Sequence, residues 1–116
     1  MGVRATTPEG FGRLHVITDP TGPHPVIEVV EAALAAGAPV IQVRQKSGTD
    51  RDRLAAVEAV LGRCRATGAT CLVDDRVDLA LAAGADGVHL GADDLPVTVA
   101  RRVLGPEATI GATTRD

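Results

Sequence analysis

Aromatic side chains are almost absent from this 116-residue sequence: Phe11 stands alone, with no Trp and no Tyr. A platform of rings for stacking single-stranded bases is therefore excluded. A basic excess is missing too. Twelve Lys and Arg face fifteen Asp and Glu, for a net charge of −3 and a pI near 5.5. That balance argues against a nucleic-acid-binding domain. No uncharged apolar run reaches the roughly 18 residues a membrane span needs. Only two cysteines occur, Cys64 and Cys71, and neither has a His or Cys at metal-ligand spacing. They read as reduced, half-buried residues of a cytoplasmic protein. The first residues lack the apolar stretch of a secretory signal. They formally fit the short myristoylation pattern, but residues 1–12 read more simply as a flexible leader. Lysine is nearly missing as well. Lys46 is alone, and every other basic residue is arginine.

What is present is ordinary globular material, 45% hydrophobic and 23% charged. Residues 13–116 read as a single domain. With a single aromatic in the chain, the core must be built from Val, Leu, Ile and Ala. Short β-rich runs alternate with helical patterns. Strands are expected over 13–18, 39–44, 69–74, 86–90 and 108–112. Between the first two, Val26, Val30, Ala33 and Leu34 recur at helical spacing. Thr49 and Asp52 form a capping-box-like start for a second helix, whose apolar stripe is Leu54, Val57, Leu61 and Cys64. Residues 76–83 form a short third helix, closed by Gly84. Pro96 opens a fourth, which carries Val99 and Val103 and stops at Gly105 and Pro106. This βαβαβαβαβ order predicts parallel βαβ units in an α/β fold.

Ligands of such folds bind at the carboxyl ends of the strands. Gln42, Arg44 and Lys46 follow the second strand. Asp74, Asp75 and Arg76 follow the third. His89 and then Asp93 and Asp94 follow the fourth, and Thr113 and Thr114 the fifth. An Arg fork beside a compact Lys charge suits a phosphate or diphosphate. Asp75 and Asp94 could hold Mg²⁺, which takes one or two carboxylates plus substrate phosphates. Plainer roles are open for each. Arg44 and Lys46 could be surface charges. Asp75 could cap the helix after it, and Asp94 could assist the helix opened by Pro96. Asp74 and Asp75 could pair with Arg76. His89 reads as a strand-end histidine making a structural hydrogen bond.

Four segments, in order and at matching spacing, resemble the thiamine phosphate synthase family. Gln42-Val43-Arg44-Gln45-Lys46 resembles its Q-x-R-x-K segment. Residues 73–80 (VDDRVDLA) resemble N-D-R-x-D-x-A, with Asp74 where the family usually has Asn. Residues 84–96 (GADGVHLGADDLP) resemble G-A-D-G-x-H-x-G-Q-x-D-x-P, with Ala92 at the Gln position. Residues 110–114 (IGATT) resemble I-G-x-S/T-x. The resemblance implies a TIM-type (β/α)₈ barrel. It also implies Mg²⁺-dependent coupling of hydroxymethylpyrimidine diphosphate with thiazole phosphate, giving thiamine phosphate and diphosphate. By the same resemblance, Arg44 and Lys46 bind the diphosphate, and Asp75 and Asp94 hold Mg²⁺. Gln42, Asp74 and Thr113 contact the substrate. An ionised carboxylate at Asp74 only accepts hydrogen bonds, where Asn would also donate.

A full barrel takes about 250 residues, or 200 at the low end. The sequence supplies four βα units and a fifth strand, an incomplete half-barrel matching the amino-terminal half of the family. The expectation is a truncated chain, or one that self-associates through its open sheet edges. Small-molecule substrates are expected, with no nucleic acid and no membrane. Three other readings stand beside the synthase. They are a thiazole tautomerase-like relative, a non-catalytic phosphate-binding half-barrel, and a doubly wound, flavodoxin-like domain.

Overall fold

A computed structural model describes residues 2–5 and 14–113. The elements run β1 (Gly2–Ala5), β2 (Leu14–Ile17), α1 (Val26–Ala35), β3 (Val40–Val43), α2 (Asp50–Thr67), β4 (Thr70–Asp74), α3 (Val77–Ala83), β5 (Gly87–Leu90), α4 (Val97–Leu104) and β6 (Thr109–Ala112). One six-stranded sheet holds all the strands in the order β1-β2-β3-β4-β5-β6. From β2 onward every pairing is parallel.

That order settles one alternative. A doubly wound domain reverses its strand order partway and places helices on both faces. Here each crossover steps to the next strand in the same direction, so right-handed connections put every helix on one face. The sheet is singly wound and open, as in part of a TIM-type barrel. The alternation along each strand agrees. Ile41, Val43, Cys71, Val73, Val88 and Leu90 point to the helices and are buried there with Val30, Val57 and Ala100. The intervening residues, among them Gln42, Leu72 and His89, face the other side. Aliphatic side chains and the two cysteines fill the helix-covered core.

The second helix starts as its sequence predicts. Thr49 Oγ1 accepts from the Asp52 N–H at 3.1 Å, and Asp52 Oδ2 accepts from the Thr49 N–H at 3.3 Å. It ends at Gly68, whose φ of 78° only glycine adopts without strain.

Two differences from the sequence reading stand out. Residues 2–5, expected in a flexible leader, form β1, antiparallel to β2 with Val3 opposite Val16. No turn signal or alternation marked this strand, and its pairing is set by the edge of β2. The rest of the expected leader, residue 1 and residues 6–12, lies outside the described residues, as do Arg13 and Thr114. Cys64 and Cys71, expected to be half-buried, are fully buried. The neighbouring Cys64 thiol and burial push the Cys71 thiol well above its ordinary range. We expect neither thiol to react with an alkylating reagent until the chain is unfolded. Thiol titration with and without denaturant checks this, and rapid labelling of the native chain would contradict it.

Candidate functional site

The carboxyl ends of β2 to β6 surround an open hollow of about 460 Å³ on the face away from the helices. Gln42, Arg44, Asp74, His89 and Thr113 line it. Parallel register places them there. Gln42 pairs with Leu72, which leaves Asp74 one step further out on β4, beside His89 of β5.

Gln42 is 3% exposed, and its Nε2 donates to Asp74 Oδ1 at 2.9 Å. The other Asp74 oxygen receives Lys46 Nζ at 2.9 Å, with Arg44 Nε at 3.9 Å. Lys46 Nζ also donates to Asp75 Oδ2. A buried amide, two cations and two carboxylates thus form one cluster. Buried polar groups need such partners.

Asp75 owes its place to its backbone. Its φ of 69° makes it the one left-handed non-glycine among the described residues. Asp tolerates that region better than most residues. Consecutive strand residues point to opposite faces. The left-handed step turns Asp75 so that it meets the same ammonium as Asp74. Its N–H donates to the His89 carbonyl at 2.8 Å, which fixes the turn against β5.

The plainer roles for the two metal candidates do not hold. Asp75 does not cap α3: Arg76 occupies the cap position, with no side-chain cap bond. Asp94 does not cap α4, where Pro96 stands. Instead Asp94 Oδ2 accepts from the Gly91 N–H at 2.6 Å and closes its own loop. Nor do Asp74 and Asp75 pair with Arg76. That guanidinium forms a fork onto Asp78 at 2.9 and 2.7 Å and reaches Asp50 at 3.0 Å. The contact holds the Asp78 carboxyl below its ordinary range. His89 does make the expected hydrogen bond, Nε2 to Thr113 Oγ1 at 3.0 Å.

Among the expected site residues, Gln42, Arg44, Lys46, Asp74 and Asp75 come together. Thr113 shares the hollow on the β6 side, while Asp94 stays with its loop. Two supporting residues escaped the sequence reading. The Thr18 hydroxyl, buried at the end of β2, accepts from the Arg44 N–H at 3.0 Å. Arg53 donates from a terminal nitrogen to the Lys46 carbonyl at 2.8 Å. A polar residue ending an apolar strand was the available signal for Thr18. Arg53 gave none, because it lies on the polar side of a helix pattern.

A divalent cation fits the chemistry of this cluster. Two adjacent carboxylates converge on one positive charge. Among the described residues no three His, Cys, Asp or Glu side chains gather as a metal cage. Protein carboxylates supplemented by ligand oxygens are the arrangement Mg²⁺ ordinarily accepts. No helix is long and apolar enough to cross a membrane.

Comparison with known proteins agrees with the motifs. The family model described as thiamine monophosphate synthase matches residues 14–116. The thiamine-phosphate synthase of Roseiflexus sp. (strain RS-1) is 46% identical over 106 residues, covering 90% of this chain and 45% of that protein. That of Salinispora arenicola is 50% identical over 109 residues, covering 91% of this chain and 52% of the relative. Among solved structures, thiamine phosphate pyrophosphorylase from Pyrococcus furiosus superposes with a TM-score of 0.79 at 42% identity. The match covers 84% of this chain and 48% of that one. The chain thus spans about half the length of these relatives. A matched family model, close relatives and a shared singly wound sheet lead to one assignment: the chain belongs to the thiamine monophosphate synthase family.

Proposed function

We propose that this chain carries the diphosphate-binding half of a thiamine phosphate synthase site. Its substrate there is hydroxymethylpyrimidine diphosphate, and the partner substrate of the whole reaction is thiazole phosphate. The observation that carries this reading is the cluster of Gln42, Arg44, Lys46, Asp74 and Asp75 at one rim of the sheet.

Each residue has a task that its chemistry supports. Arg44 and Lys46 bind the diphosphate oxygens, one as a fork and one as a point charge. Charge accumulates on those oxygens as the bond to the pyrimidine methylene breaks, so fixed cations stabilise the departing group more than the bound substrate. Asp75 would hold Mg²⁺, and Asp94 would join it from its loop. When bound, the metal supplies Lewis-acid stabilisation of the same leaving group. Gln42 is fixed by Asp74 and orients the pyrimidine end, with Thr113 across the hollow. The thiazole nitrogen then attacks the pyrimidine carbon. It carries a lone pair already, so no side chain needs to serve as a general base.

The test separates the diphosphate from the ring. Lys46→Ala is expected to weaken Mg²⁺-dependent binding of the pyrimidine diphosphate about tenfold, the effect of one charge-assisted hydrogen bond. Binding of the undiphosphorylated pyrimidine should be unaffected. Calorimetric titration reads both, and an equal loss for the two ligands would refute the cation role.

A further inference from the structure

The Lys46 ammonium touches both carboxylates of the cluster, at 2.9 Å from Asp74 Oδ2 and in direct contact with Asp75 Oδ2. It therefore occupies the position where a cation between those groups belongs. We propose that Lys46 is the resident cation of this site, and that a divalent cation enters by displacing it, so that metal and diphosphate load together. The proposal rests on the function proposed above and concerns how that same site is regulated.

The anchoring of Lys46 permits such an exchange. Its carbonyl is held by Arg53, and Arg53 meets Asp50 at 3.4 Å. Asp50 is in turn held by Arg76, which is clamped to Asp78. The main chain at Lys46 is thus tied to the starts of α2 and α3. The side chain is half exposed. Only its flexible four-carbon stem has to move.

Charge gives the direction. Arg44, Lys46, Asp74 and Asp75 together sum to zero, so the cluster at rest offers an incoming polyanion no net attraction. Gln42 keeps Asp74 in place from the other side at 2.9 Å. A dication brings two charges to carboxylates that Lys46 meets with one. The displaced ammonium is then free for a diphosphate oxygen. This four-residue cluster thereby changes from neutral to net positive when the metal arrives. Coupling of this kind is reciprocal: diphosphate, by drawing Lys46 away, also tightens the metal.

One substitution tests the exchange, because it must act with opposite signs on the two ligands. Mn²⁺ serves as the probe, with free metal read by electron paramagnetic resonance. In Lys46→Gln, Mn²⁺ alone is expected to bind about fivefold more tightly, since two partly exposed ion pairs no longer compete. Inorganic diphosphate, titrated at fixed free Mn²⁺, is expected to bind about tenfold more weakly. Circular dichroism confirms that both proteins are folded. Unchanged or weaker Mn²⁺ binding in Lys46→Gln overturns the exchange. If the parent chain still takes up Mn²⁺ and diphosphate, that result leaves the functional reading intact. If neither protein takes up either ligand, the functional reading fails and the exchange with it.

Discussion

Gly87→Ala is expected to unfold the chain or to cost it about 3 kcal/mol or more, the upper range for forcing atoms into filled space. Gly87 starts β5 and pairs with Thr109 of β6. A Cβ built there would lie 1.7 Å from the Thr109 carbonyl oxygen and 2.8 Å from its nitrogen. These are backbone atoms of a neighbouring strand, so no rotamer change relieves the clash. The two strands would have to separate. The Thr109 N–H donates to the Asp86 carbonyl at 2.9 Å, and that bond would be lost too. Thermal or urea unfolding measures the cost. A midpoint within a few degrees of the parent would mean that β6 pairs differently.

Asp75→Asn is expected to remove Mg²⁺-linked diphosphate binding while leaving the fold intact. The loss should be tenfold or more, about 1.5–3 kcal/mol for one charged partner. Asn is the right replacement because it shares the tolerance of Asp for φ near 69°, whereas Ala would add backbone strain. Asp75→Ala should lose the same binding and some stability as well. The pair of variants thus separates the carboxylate from the turn. Titration of the pyrimidine diphosphate with and without Mg²⁺ checks it, and parent-like affinity in Asp75→Asn would remove the metal role. Asp94→Ala should also weaken the metal-dependent step. It releases the Gly91 N–H too, so its loop rearranges as the carboxylate goes.

Much of this arrangement was legible in the chain itself, because the signals are short-range. The capping box at Thr49 and Asp52 spans three residues, and Gly68 and Gly84 end their helices locally. The apolar stripe through Val57 and Cys64 follows from helical geometry alone. Alternating strands and helices placed the polar residues on one rim, since every parallel strand ends on the same side. The four family motifs lie within that framework.

Other features depend on atoms distant in the chain, and local patterns carry no information about them. The βαβ alternation is equally compatible with sheets wound in one or in both directions. Only the pairing of successive strands excluded the doubly wound fold. Asp75 could be read as a metal carboxylate or as a helix cap, and only its left-handed turn brought it to Lys46, 29 residues away. Gln42 and Asp74, 32 residues apart, meet because β3 and β4 align in register. β1 had no sequence signature and forms because the edge of β2 offers it backbone partners. The sequence by itself determined the elements from β2 onward, the rim they share and the family. Tertiary structure decided which charges on that rim neutralise one another, because that depends on strand register and one backbone turn rather than on residue type.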